Sequence, residues 1–264
     1  TIITLLDAYG KICLEEEAVT STVISNPLES DKRLFEEYRA DLIDERIGQF
    51  TRLPRAIDPD TIPDTLMSSF HQKTRNMIRK GEKSGFILGH DGSEKTLKTL
   101  FLLHDENIKA IGGLPKSWKV FQAIKRNYIY DRDYRIYTAT KNGEVVAALL
   151  IYYHKDIAEY SIPTIRKDFR SYQPLSYMIF QAMQDASVSK GCNWWNWGGT
   201  WLSQNGVYRF KSRWGTQDMR YKYYIREYHE HGSFRDCSTE QLLRAYPNFY
   251  TIPFSILNSN QSIT

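Results

Sequence analysis

The chain has 264 residues, 41% of them apolar and 25% charged, and a formal net charge of +4. Those are the proportions of an ordinary globular protein, long enough for one large domain or two small ones. They exclude a membrane span, since no apolar run approaches the ~20 residues one needs, and the mild basicity suits an anionic ligand rather than a nucleic-acid-binding tail or a DNA partner.

The first 60 residues predict a strand over 20–25, a helix over 31–42 and a strand over 47–53. Pro54, Pro59 and Pro63 punctuate the loop that follows. Asp64 or Thr65 is placed to cap one long helix whose buried stripe would be Leu66, Phe70, Thr74, Met77 and Gly81. Its other faces carry Lys73, Arg75, Arg79, Lys80 and Lys83, and Gly85 ends it. A strand over 86–89 and helices over 94–110 and 116–127 come next.

The second half has sharper signals. A strand over 135–141 leads into Asn142-Gly143, a strong hairpin turn, and the chain returns over 144–154. A third strand covers 158–164, a helix with a Leu175, Met178, Ile179, Ala182, Met183, Ala186 stripe covers 171–190, and Gly191 stops it. A strand over 193–197, a short helix over 204–211 and a last strand over 220–226 complete the order, and the Ser/Asn-rich residues 257–264 read as a frayed end. A strand–helix–strand unit flanked by antiparallel strands predicts a mixed α/β (α+β) sheet. Residues 20–91 echo the same alternation, so two tandem copies of one small unit are expected.

Cys192-Asn-Trp-Trp-Asn-Trp-Gly-Gly-Thr200 is the stretch with the most to explain. Alternation along a strand puts Trp195 and Trp197 on one face and Trp194 and Asn196 on the other. The indoles suit a core. Gly198 and Gly199 permit positive φ and the close approach of a ligand at a strand end. Arg209, Lys211 and Arg213 interleave with Tyr208, Phe210 and Trp214, a pattern that serves either phosphate and nucleotide contacts or a solvated amphipathic helix. Three scattered cysteines (Cys13, Cys192, Cys237) argue against a disulfide framework and fit a reducing, cytoplasmic setting; Cys192 reads as core. His229 and His231 form a weak metal spacing that reads better as solvated. Asp156, Glu159 and Asp168 flank the third strand and qualify as a base by position only.

Taken together, three motifs resemble the FemABX family of aminoacyl-tRNA-dependent peptidyltransferases and its short GNAT-type acyltransferase relatives. Lys73-Thr-Arg-Asn-Met-Ile-Arg-Lys-Gly-Glu-Lys-Ser-Gly85 is similar to the family's Lys-x-Arg-x-x-Ile-Arg-x-Ala-x-Lys-x-Gly helix. Lys190-Gly191 followed by Trp195-Asn-Trp-Gly-Gly199 is similar to its Lys-Gly…Tyr-Asp-Phe-Gly-Gly strand, and Gly206-Val-Tyr-Arg-Phe-Lys211 with Trp214-Gly215 to its Gly-x-x-x-Phe-Lys-x-x-Phe-Gly. The likeness spans roughly residues 60–228. Trp195 and Asn196 depart from the family's Tyr and Asp, and its N-terminal Tyr-Gly-Tyr-Gly-Gly run is reduced to Tyr9-Gly10.

The resemblance implies a GNAT-like mixed sheet in two tandem units, with boundaries expected at 1–110, 111–230 and a tail over 231–264. It implies transfer of an acyl or aminoacyl group to an amine on a cell-envelope precursor, peptidoglycan or surface polysaccharide. The alternatives are an acyl-CoA N-acyltransferase acting on an amino sugar and a non-catalytic nucleotide- or RNA-binding relative. Phe210 and Lys211 map onto the family's active-site pair. Lys211 would steady the oxyanion or a donor phosphate, and Gly198, Gly199, Trp197, Tyr208, Arg209, Arg170, Ser171, Arg75 and Arg79 would bind donor or substrate. The co-substrate would be aminoacyl-tRNA or acyl-CoA, with no tightly bound cofactor and no metal, and the acceptor a nucleotide- or lipid-linked sugar or peptide. Acyl-CoA users open the helix near 171 with an Arg/Gln-x-x-Gly-x-Gly/Ala loop; here Arg170-Ser-Tyr-Gln-Pro-Leu-Ser176 lacks both glycines, which points away from standard CoA binding. Pro163 is consistent with a sheet that splays beside the third strand.

Overall fold

The computed structural model describes residues 2–28, 38–55, 58–201, 204–228 and 237–245. They fall into two compact units, one within 1–47 and 219–264 and a larger one over 48–218. Strands β1 (Thr20–Ile24), β2 (Leu42–Arg52), β3 (Ile87–His90), β4 (Tyr134–Lys141), β5 (Glu144–His154), β6 (Ile157–Ile165), β7 (Trp194–Trp201) and β8 (Thr216–Glu227) alternate with helices α1 (Ile2–Glu15), α2 (Ile62–Ser69), α3 (Gln72–Lys83), α4 (Glu94–Lys109), α5 (Trp118–Asn127), α6 (Pro174–Val188), α7 (Asn205–Ser212) and α8 (Thr239–Ala245).

In the smaller unit β1 pairs antiparallel with β8, from Thr20 opposite Glu227 to Ile24 opposite Tyr223. Ile225 and Leu242 are buried there, with Val19, Leu42 and Tyr223 packed on them. Helix α1 was not foreseen. The helix expected over 31–42 falls mostly outside the described residues; at its end Leu42 opens β2 instead. His229, His231 and residues 257–264 also lie outside them.

The larger unit is a mixed sheet in the order β2-β7-β6-β5-β4-β3, antiparallel in its β3–β4, β4–β5 and β5–β6 pairs and parallel at β6–β7. The hairpin between β4 and β5 turns on Asn142 (φ 52°) and Gly143 (φ 79°), the two left-handed residues a type I′ turn demands. Alternation in β5 sends Ala147, Leu149 and Ile151 to one core and Ala148 and Leu150 to the other, so both faces are buried. Helices α3 and α6 cover the first face and α4 and α5 the second.

The long helix expected from residue 64 is two. Phe70 turns extended (φ −84°, ψ 149°) to enter the core, where its ring meets Trp214 at 5.2 Å, and α3 restarts with His71 as its cap, Nδ1 accepting from Lys73 N at 3.1 Å. The break re-phases the buried stripe to Thr74, Ile78 and Gly81, with Ile78 in place of Met77. Gly81 is where α3 crosses α6: a Cβ there would stand 2.5 Å from the Gln173 carbonyl oxygen and 2.7 Å from Tyr177 Cβ. The helix expected to open at 171 opens at Pro174, after a 3₁₀ turn over Lys167–Tyr172. Gln173 between them is left-handed (φ 61°), held by its side chain, which donates to Arg170 O at 3.0 Å and accepts from Ser176 Oγ at 3.1 Å.

Candidate functional site

Strands β6 and β7 are hydrogen-bonded over three pairs only, Ile157–Trp194, Ala158–Trp195 and Glu159–Asn196. Both continue beyond that point, β6 to Ile165 and β7 to Trp201, without pairing further. The ladder therefore opens into a wedge, with Pro163 in its unpaired stretch. On the α6 face the wedge is lined by rings. Tyr160 lies 5.0 Å from Trp197 and 6.3 Å from Trp195, and Trp197 lies 5.3 Å from Trp214 and 6.0 Å, edge-on, from Phe210. Burial drives the Tyr160 phenol's pKa up. The indole N–H groups of Trp195 and Trp214 are buried with no hydrogen-bond partner among the described residues. An unmade bond of that kind costs about 1–3 kcal/mol.

At the rim of the wedge the sequence dictates a local kink. Asn196 Oδ1 accepts from Gly198 N at 2.8 Å, and Gly198 sits at φ 75°, where a side chain would be strained although no atom lies within 4 Å of its Cβ position. The kink turns two consecutive carbonyls toward α7. Lys211, at the end of α7 and 7% exposed, donates to Gly198 O at 3.1 Å, Gly199 O at 3.2 Å and Thr200 Oγ1 at 2.9 Å. Three donors meet three acceptors, so the ammonium is fully engaged. Burial lowers its pKa to about 8, which leaves it charged but close to deprotonation at neutral pH.

Behind this tripod stand two residues that the sequence reading passed over. Thr51 accepts from Trp197 Nε1 at 2.9 Å and donates to Trp214 O at 2.9 Å. Gln49, fully buried, reaches Tyr208 O at 3.3 Å and Thr216 Oγ1 at 3.4 Å. The signal was present: polar residues, Gln49 and Thr51, at alternate positions of the strand expected over 47–53.

Lys211, Phe210, Trp197, Gly198 and Gly199 thus come together. Tyr208 is nearby but donates to Asp218 Oδ2 at 2.6 Å, and Arg209 is exposed. Arg170 and Ser171 belong to a second locus. They are exposed on the 3₁₀ turn before α6, whose neighbour Tyr172 accepts from Ser84 Oγ at 3.3 Å. Ser84 also lines a concavity of about 440 Å³ with Asn76, Arg79, Lys80 and Lys83. Arg75 is not part of it, because its guanidinium turns back to the Phe70 carbonyl and closes the α2–α3 break. Cys192 is buried, its thiol pushed up to about 11. No cluster of metal-ligating side chains occurs, and no helix is long and apolar enough to cross a membrane, among the described residues.

Glu159, expected beside the third strand with Asp156 and Asp168, lies within β6 and stands out in the structure. It closes the ladder opposite Asn196, no described residue hydrogen-bonds to its carboxylate, and desolvation raises its pKa. Asp156, by contrast, accepts from Asn193 at 2.6 Å, and Asp168 lies on the 3₁₀ turn 3.9 Å from Arg166.

The folded chain is similar to several solved structures, all at low identity. FemX matches with a TM-score of 0.64 at 15% identity, over 83% of this chain and 75% of that one. L-PGS from Bacillus licheniformis matches at 0.53 and 15%, over 74% of this chain and 65% of that one, so the chain spans less than two thirds of it. The C-terminal domain (DUF2156) of a protein assigned as a lysylphosphatidylglycerol synthetase, from Agrobacterium fabrum, matches at 0.58 and 10%, over 86% and 74%. No curated protein sequence matches the chain. The model of the acetyltransferase (GNAT) domain matches residues 68–223, which hold the wedge, the kink and Lys211, and the chain belongs to that family.

Proposed function

We propose that the chain transfers an acyl or aminoacyl group to an amine on a cell-envelope precursor. The observation that carries this reading is the wedge beyond Glu159–Asn196, with a buried cation anchored at its rim. Acyl transfer to an amine builds negative charge on the carbonyl oxygen, and a preorganised positive charge in a water-poor setting stabilises it. Lys211 has its three donors committed, so it acts through its charge and by holding the Gly198 and Gly199 carbonyls in place. Phe210 and the Trp197 ring wall the acyl group. The unpartnered indole donors of Trp195 and Trp214 suit an acyl group that carries an oxygen, as an aminoacyl or polar acyl group does.

The second locus suits the donor's phosphates. Ser84, which lines the concavity with Arg79, Lys80 and Lys83, donates to the Tyr172 carbonyl of the turn that carries Arg170 and Ser171, ahead of the α6 N-terminus. Gln173-Pro174 supplies fewer backbone N–H groups than a glycine loop would, which favours aminoacyl-tRNA over acyl-CoA. FemX and the lysylphosphatidylglycerol synthetase-like domain share the fold and lend the envelope acceptor its support. The domain family favours the other donor, acyl-CoA; the second reading pairs that donor with an amino sugar as acceptor. Both donors belong to the cytoplasm, and we place the chain there.

The test is direct. Purified protein is incubated with nucleotide- or lipid-linked envelope precursors and either charged tRNA or acetyl-CoA, and products are read by mass. An aminoacyl increment that needs charged tRNA supports the leading reading. An acetyl increment moves the assignment to the second. Tight binding of either donor with no mass change would leave a non-catalytic binder. Wild-type turnover in a folded Lys211→Met variant would remove Lys211 from the chemistry.

A further inference from the structure

The opposite face of the same sheet carries a second cavity, of about 560 Å³, lined by Asn127, Tyr128, Asp133, Tyr152, Tyr153, His154 and Glu159. We propose that it is an ammonium-binding subsite that recognises the cationic amino group of the acceptor; it rests on the transferase reading above for its place in the reaction, though not for its chemistry. Tyr128 and Tyr152 form an aromatic corner, their centroids 5.3 Å apart and their planes at 51°. Glu159 faces Tyr152 across the β5–β6 ladder, and burial holds the Tyr152 phenol up at about 12, with smaller contributions from Tyr128 and the Glu159 charge. Aromatic faces meeting a carboxylate are the arrangement that attracts a desolvated ammonium.

The inventory of charges leaves that carboxylate to a ligand. Neither lysine nor arginine lines the cavity. Asp133 is spent: Arg132 grips it with Nε at 2.7 Å and Nη2 at 2.8 Å, and Ile129 N donates to it at 2.8 Å. Lys190, over the Tyr153 ring, is bonded to the Asp131 carboxylate at 3.0 Å. Of the two carboxylates that line the cavity, Glu159 is the one with no ion pair or hydrogen bond to a described residue, although it is exposed and the cavity walls desolvate it. In a chain of net charge +4, an anionic aromatic hollow at the closed end of the wedge complements the basic locus on the other face. The anionic donor and the cationic acceptor would then approach from opposite sides of the sheet.

The probe is n-butylammonium, titrated against the full chain by saturation-transfer NMR, with n-butanol and n-butyrate as controls. Saturable binding of the ammonium alone is expected. Glu159→Gln should weaken it about fivefold, and so should Tyr128→Leu, which alters an exposed ring and leaves the core intact. Equal binding of n-butanol, or ammonium binding unmoved by both substitutions, overturns the proposal. The titration requires no turnover. A chain that binds the probe but transfers nothing defeats the transferase reading and spares the subsite; turnover without probe binding does the reverse.

Discussion

Lys211, bonded to β7, and Glu159, on the adjacent β6, are both desolvated, Lys211 by burial and the exposed Glu159 by the walls of its cavity, a pressure that pushes each toward its neutral form. Their surroundings answer it differently. Lys211 has a partner for every hydrogen it can donate, and two of the three are carbonyls made available by a glycine kink. Glu159 has none among the described residues. A buried charge with a full set of partners holds structure together and contributes a fixed field. A charge without partners is stabilised only when something arrives. The contrast separates the part of the site that is built from the part that waits for a ligand, and it can be broken or sharpened by substitution.

The largest effect should come from Lys211→Met. It leaves the buried Thr200 hydroxyl and two part-buried carbonyls without their donor, and a loss of about 3 kcal/mol is expected in denaturant unfolding. Next is Gly81→Ala, which forces a methyl against the Gln173 carbonyl and should cost about 2 kcal/mol by prying α3 from α6. Gly198→Ala is milder, at about 1 kcal/mol, because the space is open and only the left-handed backbone resists. Glu159→Gln should be smallest, within about 0.5 kcal/mol of wild type at pH 7. Its sign is informative. The folded-state pKa of Glu159 is raised, so wild type loses stability as pH rises through the carboxylate range, and the glutamine variant should lack that decline.

The sequence disclosed the larger unit's order of elements well, because period-two and helical stripes there coincide with strong punctuation such as Asn142-Gly143 and Gly191. It misplaced the break at Phe70-His71, since nothing local forbids a helix through those residues; the ring is pulled inward by Trp214, a contact 144 positions away. Likewise Gln173 adopts a left-handed turn that composition disfavours, secured by side-chain bonds visible only in the fold. A positive φ at Gly198 was legible from the paired glycines, and its grouping with Lys211 from the family resemblance. The full engagement of that lysine was not, and neither was the lone state of Glu159, because partner counts depend on which strands stop pairing and where.

The most direct measurement is the titration of Lys211 itself, followed through its side-chain carbon resonances and assigned with Lys211→Arg. A titration near pH 8 is expected, along with a rise in stability between about pH 8 and 10.5 that the Met variant lacks, since over that range the unfolded chain holds the proton and the folded one does not. A midpoint near 10.5 would mean that the amine is bathed in water and not sealed against the glycine carbonyls, and the site as described would be wrong.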